Sequence, residues 1–274
     1  MNVNNNISAL STLANLNKVQ AQGSRTMESL SSGKRINRAS DDAAGTAVAA
    51  RMTSQVKGLN QASRNASDGI AALQTFEGAM SSQTDILQRM RELAVQSSNG
   101  TYSDADRGNL DSEFTQLKSE FDRIADKTSF NGNNFMSSTA TSKDLVLQIS
   151  NVKGDVLTVT FTDSDLDTLS AGGLTTGIDT QANATGVLDA LDTALDTLSG
   201  NRADLGGYMN RLNYTVNNLS NTSVNLTDAK SRIEDQDMAA AMSELTKTDI
   251  LTQSSVSMLA KANQAPQNIL KLLG

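Results

Sequence analysis

Asp163, Asp165 and Asp167 are the side chains whose spacing comes closest to a cation site in this chain. Carboxylates at alternate positions supply oxygen ligands to calcium in EF-hand loops. The residues around this triplet lack the glycine and the distal glutamate that complete such a loop. Calcium binding therefore stays an alternative, and the pattern favours a solvent-exposed acidic surface.

Histidine and cysteine are absent from all 274 residues. Without them the chain can form no disulfide, no thiolate nucleophile, no ordinary zinc site and no serine–histidine pair. We therefore expect a protein that is not an enzyme and that holds no cofactor and no metal ion.

Lys34, Arg35 and Arg38 form a short basic cluster of the kind that can contact nucleic acid. Asp41 and Asp42 follow closely, no aromatic residue lies nearby, and the net charge of −7 opposes phosphate binding. We expect a charged connector between helices and no nucleic-acid partner.

The acidic charge is concentrated in the middle of the chain. Residues 137–200 contain two lysines and nine aspartates, which account for the whole net charge of −7. The same region is rich in threonine, glycine and serine. We expect residues 137–186 to form a short acidic outer segment that faces solvent.

Apolar residues recur every seven positions on both sides of this segment. The first repeat is Leu59, Ala66, Leu73, Met80, Leu87 and Ala94, and the second is Leu191, Leu198, Leu205, Leu212, Leu219, Leu226 and Ile233. This spacing is typical of helices that pack side by side. Val56 and Ile70 indicate a second column three residues before the first. A third stripe begins after Asn99-Gly100, where Ser103 or Asp104 can cap a helix: Leu110, Phe114, Leu117, Phe121 and Ile124.

Two short runs in the middle alternate apolar and polar residues, with turn residues at 151–154 between them. They predict a β-hairpin at about residues 144–162. The expected fold is therefore mainly α, a long antiparallel helical bundle with coiled-coil packing and a small β-hairpin in the middle of the chain.

The two ends of the chain are apolar and carry little charge. Residues 1–17 have no charged side chain and contain Ile7, Leu10, Leu13 and Leu16, and the last residues include Leu270, Leu272 and Leu273. We expect both ends to be disordered in a single chain and to pack into a core when they meet copies of themselves.

Five motifs together resemble the signatures of bacterial flagellins. They are LSSGKRINRASDDAAG at 30–45, QRMRELAVQ at 88–96, TSFNG at 128–132, SRIEDQD at 231–237 and LAKANQAPQNILKLL at 259–273. The resemblance implies a D0 domain of residues 1–44 and 236–274, a terminal helical coiled coil in the filament core. It also implies a D1 domain of residues 45–235, a helical rod that bears the hairpin. Large outer domains would be missing.

The resemblance implies a structural subunit that polymerises into the extracellular flagellar filament for motility. Such subunits leave the cell unfolded through the flagellar type III export system. In agreement, the first residues lack the basic head and apolar run of a cleaved signal peptide, and no stretch has the 18 consecutive apolar residues of a membrane span. The implied partners are copies of itself, a flagellar export chaperone, and the hook-associated junction and cap proteins, with no membrane partner.

Particular residues also match functional positions of the family. Gln88, Arg89, Leu93 and Glu113 correspond to the contact region for the vertebrate Toll-like receptor, with subunit packing as their expected native role. Leu270, Leu272 and Leu273 correspond to leucines that contact the export chaperone and pack in the filament core.

A hook–filament junction protein is the alternative, because such proteins share the terminal architecture. A flagellin with a zinc protease insert would need an HExxH motif, and the chain has no histidine.

Overall fold

The computed structural model describes residues 6–137, 143–170, 172, 174 and 176–273, with side chains up to residue 264. Its elements are α1 Ile7–Ser32, α2 Ala43–Ser98, α3 Asp104–Lys127, β1 Asp144–Gln148, β2 Val156–Thr160, α4 Leu166–Leu169, α5 Gln181–Glu234 and α6 Met238–Leu273. The predicted mainly α fold with one small antiparallel hairpin is confirmed. In the described ranges, no helix is long and apolar enough to cross a membrane.

Backbone contacts divide the chain into two compact units. We name residues 57–223 the central unit, and residues 1–56 with 224–274 the terminal unit. The D0 and D1 limits expected from the sequence, at residues 44 and 236, stay a prediction. The break between α5 and α6 lies next to the second of these limits.

The seven-residue repeat of α2 forms a seam in the core of the central unit. All six of its predicted members, from Leu59 to Ala94, are buried. The column that starts at Val56 is only half-buried. A more deeply buried column lies three residues after the main repeat, at Ala62, Phe76, Gln83, Met90 and Ser97. Polar Gln83 and Ser97 interrupt this column, so its apolar pattern does not stand out in the sequence.

Helices α3 and α5 complete this core. Phe114 and Phe121 of α3 are buried, as are the repeat leucines of α5 from Leu191 to Leu219. Ser103 is the N-cap of α3 and forms a capping box with Asp106, since each side chain bonds the backbone N–H of the other. Both glycines at 206–207 lie within α5 without ending it.

The hairpin packs on small residues of α2. Leu145 pairs with Val159 and Leu147 with Leu157, which places the alternate apolar side chains on one face. A Cβ atom added to Gly58 would lie 2.8 Å from the Cβ of Asn151 in the turn. Asn65 donates a hydrogen bond from Nδ2 to the carbonyl of Gln148 at 3.1 Å. Only small or short side chains on α2 allow the strands to come this close.

Part of the acidic middle segment is buried in the core, although its sequence suggests a solvent-exposed surface. Its residues Leu166, Leu169, Leu174 and Ile178 are buried in the core of the central unit. Asp111 accepts a hydrogen bond from the N–H of Ile178 at 2.7 Å, and Asp122 accepts one from the N–H of Leu166 at 3.1 Å. Burial raises the pKa of the Asp122 carboxyl, and the bond from Leu166 opposes that rise. Many of the segment's own aspartates remain exposed, so it combines an acidic surface with an apolar underside.

Helices α1 and α6 pair in the terminal unit. Asn6 donates from Nδ2 to the carbonyl of Ala262 at 2.7 Å, and Gly23 lies beside Thr248, so the two helices are antiparallel. In the described residues each end supplies a helix on which the other packs. The expected disorder of both ends in a free chain stays a prediction.

Candidate functional site

The paired terminal helices leave most of their apolar side chains in solvent. Ile7 is 72% exposed, Leu10 61% and Leu13 42%, whereas Leu16 is 8% exposed. Ile250, Leu251 and Val256 of α6 are exposed as well. One layer of contacts between two helices covers only part of each apolar surface. The single chain therefore presents an apolar surface that we name the terminal face, made of Ile7, Leu10, Leu13, Ile250, Leu251 and Val256.

The predicted C-terminal site residues cannot be compared with the structure. The side chains of Leu270, Leu272 and Leu273 lie outside the described residues. Their predicted roles in chaperone binding and core packing stay predictions.

Arg89 and Glu113 are brought together across α2 and α3. The Arg89 guanidinium donates from Nε and Nη2 to Oε1 of Glu113, at 3.0 and 2.8 Å, and from Nη1 to Glu92 at 3.0 Å. Hydrogen bonds to Glu113 and Glu92 raise the pKa of Arg89 above its ordinary value. Gln88 is exposed beside them, and Leu93 is fully buried. Of the four residues matched to the receptor contact region, only Leu93 offers no exposed side chain in the single chain. The recognition role of this group stays a prediction.

The basic cluster near residue 34 is occupied by internal contacts. Lys34 forms an ion pair with Glu234, and Arg35 donates from Nη2 to the carbonyl of Ile233 at 2.6 Å. Arg38 forms an ion pair with Glu28 at 2.9 Å. The backbone joins in, because the N–H of Arg35 bonds the carbonyl of Glu234 at 2.7 Å. We name this region, residues 33–38 with 233–236, the connector; it ties the end of α1 to the end of α5.

The aspartates of the calcium alternative are partly paired with lysines. Asp163 lies 2.6 Å from Nζ of Lys143, and Asp167 lies 3.7 Å from Nζ of Lys118. In the part of the chain that the structure describes, no three acidic side chains converge as a metal site would require.

Two buried polar residues escaped the sequence analysis. Gln83 donates to the carbonyls of Phe121 and Ser164, at 3.3 and 3.2 Å. Arg107 donates from Nε to the carbonyl of Ser97 at 2.9 Å and from Nη2 to that of Asn99 at 3.0 Å. Helix α2 has no basic residue in its last turn, so Arg107 supplies from α3 the cation that favours a helix C-terminus.

Known flagellins match this chain along nearly its whole length. The model of the bacterial flagellin N-terminal helical region matches residues 3–141, and that of the C-terminal helical region matches residues 188–273. The flagellin of Halalkalibacterium halodurans is 45% identical over 273 residues, which is 100% of both chains. The chain belongs to the bacterial flagellin family. It is a structural subunit of the extracellular flagellar filament and not an enzyme.

Solved structures agree with this assignment. The Bacillus cereus flagellin crystal structure is 41% identical, with a TM-score of 0.53 over 57% of this chain and 88% of that one. A putative flagellar hook-associated protein from Vibrio parahaemolyticus has a TM-score of 0.60 over 71% of this chain and 100% of that one, at 17% identity. The second likeness shows a shared fold alone. The hook-associated alternative is therefore less supported than a filament flagellin.

Proposed function

We propose that copies of this flagellin polymerise through the terminal face defined above. The observation that carries the proposal is the exposure of aliphatic side chains along both paired helices, where only Leu16 of the four predicted N-terminal residues is buried. A monomeric protein seldom leaves so many large apolar side chains of two paired helices in water. Neighbouring copies in a filament would cover it.

The energetics favour many neighbours over one. Complete burial of an aliphatic side chain contributes about 1.5–3 kcal/mol. Association costs roughly 4–15 kcal/mol in lost translational and rotational freedom. A few side chains against one neighbour would do little more than offset that cost. A chain that meets several neighbours in a polymer buries more surface for the same loss of freedom.

Replacement of Ile250 by asparagine tests the proposal in the full-length chain. Ile250 is exposed in the single chain, so the substitution should leave the helical circular dichroism unchanged. Seeded polymerisation, followed by light scattering and electron microscopy, should slow strongly because a polar amide would be buried unpaired. Ile250→Leu is the matched control and should polymerise like the parent. Normal filaments from Ile250→Asn would contradict the assignment of this face.

The remaining partners belong to the same proposal. Before export, a chaperone would bind the chain at Leu270, Leu272 and Leu273. The chain would then travel unfolded through the type III export channel, without a cleaved signal peptide. Filament ends would contact hook-associated junction and cap proteins. Titration calorimetry with the chaperone should show weaker binding when the three leucines are replaced by alanine. Unchanged affinity would remove them from the binding site.

Recognition by a Toll-like receptor would use the exposed group of Gln88, Arg89 and Glu113, with Leu93 acting from beneath. Arg89 already forms charge-assisted bonds in the free chain, and its guanidinium is half-exposed. An Arg89→Ala monomer should activate receptor-bearing cells less than the parent does. Equal activation would exclude Arg89 from recognition and leave it a purely structural role.

A further inference from the structure

Methionine exposure differs sharply between the two units. The chain contains ten methionines. Among the nine that the structure describes, four are strongly exposed, and all four lie in the terminal unit: Met27 at 57%, Met238 at 47%, Met242 at 49% and Met258 at 57%. In the central unit, Met80, Met90 and Met136 are buried. One molecule thus holds a reactive set of thioethers and an internal reference set.

Three of the exposed methionines lie at the same end of the terminal helix pair. Gly23 of α1 lies beside Thr248 of α6, and the helices are antiparallel. Four residues further along α1, Met27 is therefore level with residue 244, within about one helical turn of Met242. Met238 is one turn beyond Met242. Met258 lies further along α6, so the set extends along the terminal helix pair whose exposed side chains are proposed to meet neighbouring copies.

We propose that Met27, Met238, Met242 and Met258 form an oxidation site through which a hydroperoxide controls assembly. This inference rests on the proposed role of the terminal helices in polymerisation. The chain has no cysteine to compete for the oxidant. Exposure decides which thioethers react, because the oxidant must reach the sulfur through solvent.

The chemical step is a two-electron oxygen transfer. The thioether sulfur attacks the outer oxygen of the hydroperoxide, the O–O bond breaks, and an S–O bond forms. Sulfur is oxidised to the sulfoxide, and the peroxide is reduced to an alcohol, or to water when hydrogen peroxide is the oxidant. The proton of the transferred hydroxyl moves to the leaving oxygen.

Oxidation changes the side chain from apolar to polar without changing its reach. A sulfoxide oxygen buried between copies needs a hydrogen-bond donor, and an aliphatic interface offers none. The oxidised monomer should therefore assemble poorly. Assembled filaments should resist the same oxidant because neighbouring copies cover the thioethers. A methionine sulfoxide reductase should restore assembly by removing the oxygen.

The first experiment treats full-length monomer with hydrogen peroxide and maps sulfoxides by peptide mass spectrometry. The four exposed methionines should react about tenfold or more faster than Met80, Met90 and Met136, because those three lack solvent access. The oxidised monomer should then lose most of its rate of seeded polymerisation. Filaments treated in the same way should show strong protection at the four sites. Equal oxidation of monomer and filament would overturn the proposal.

The second experiment replaces the four methionines by leucine, a swap that conserves volume and apolar character. This variant should polymerise like the parent and keep doing so after peroxide treatment. A variant that still loses assembly after treatment would overturn the proposal, as would an oxidised parent that polymerises normally. The Ile250→Asn variant, tested without peroxide, distinguishes failure of the terminal face from failure of the oxidation proposal. If it forms normal filaments, the terminal face is wrongly assigned, whatever the peroxide experiments show.

Discussion

Arg107 shows how a single side chain can join two helices. Its guanidinium is buried and donates to the carbonyls of Ser97 and Asn99 at the end of α2, and to Asp104 in its own helix. Lysine has one compact charge in place of the planar fork and cannot make all these bonds together. Arg107→Lys should lower the free energy of unfolding by about 1.5–3 kcal/mol, since bonds to a charged group are lost within a buried site.

Urea unfolding followed by circular dichroism measures this loss. Arg123→Lys is the matched control in the same helix, because Arg123 is exposed and contacts only the neighbouring Glu120 among the described bonds. It should unfold at the parent's urea concentration. If the two variants unfold at the same urea concentration, the bonds from Arg107 to the end of α2 contribute nothing measurable to the free energy of unfolding.

Gly58 and Gly78 lie on one helix in different surroundings. A Cβ on Gly78 meets no atom within 4 Å, whereas one on Gly58 would press against Asn151 at 2.8 Å. Gly78→Ala should raise the free energy of unfolding by about 0.5–1 kcal/mol through helix propensity. Gly58→Ala should lower it by about 1–3 kcal/mol, because the turn of the hairpin must move. Thermal unfolding of both variants checks this, and equal stabilisation would show that the hairpin does not pack closely on α2.

These residue contacts could not be predicted from the sequence. Arg107 and Gln83 look like surface residues of an amphipathic helix, and their partners belong to segments that the fold brings together. Leu93 was matched to a family position by its sequence motif, which could not show that its side chain is buried. The sequence placed Arg89 and Glu113 in one predicted recognition region. It could not show the direct bond between them, because that bond depends on how α2 packs on α3.

At the scale of elements, spacing predicted most of the fold. The repeats of α2 and α5 and the stripe of α3 are long and regular, and their main columns form the core. The hairpin was also predicted, because its apolar residues alternate on both sides of a turn. Helix α4 was missed, since four residues carry no period, and the burial of Leu174 and Ile178 was missed because their segment is polar overall. Composition reports the average of a segment, while burial depends on which side chains face the core.

The connector between α1 and α5 should be sensitive to acid. A hydrogen bond from Lys34 holds the pKa of the Glu234 carboxyl below its ordinary value, and Lys230 acts in the same direction. The folded chain therefore favours ionised Glu234 more than the unfolded chain does. This stabilisation is complete above the ordinary pKa of 4.5 and is lost as the pH falls through the lowered folded value.

Amide hydrogen exchange at Arg35 and Gln236 measures this effect, because their N–H groups bond the carbonyls of Glu234 and Gly33 at 2.7 and 2.9 Å. Protection factors in the parent should be constant above about pH 5 and decrease below it. Glu234→Gln should show lower protection at neutral pH and no such decrease. A parent whose protection persists through acid pH would show that the ion pair does not stabilise the connector.

At the scale of the whole molecule, the distribution of charge should control how filaments interact. The net charge is −7, the isoelectric point of the sequence is about 4.7, and residues 137–200 account for the entire excess. If that acidic segment faces outward in the filament, its charges keep filaments apart at neutral pH. Lateral bundling should therefore increase as the pH approaches 4.7, and added salt should promote it at higher pH by screening the repulsion.

Matched charge variants separate the placement of the charge from its amount. Asp155→Asn with Asp179→Asn neutralises two exposed residues of the acidic segment, and Asp68→Asn with Asp85→Asn neutralises two exposed residues of α2. Each pair changes the net charge from −7 to −5. Turbidity and electron microscopy of assembled filaments should show bundling at a higher pH for the first pair than for the second, because repulsion between filaments depends on the charges nearest the outer surface. If bundling begins at the same pH in both variants, only the total charge matters. If the parent filaments stay dispersed at the isoelectric point, the acidic segment does not lie at the filament surface.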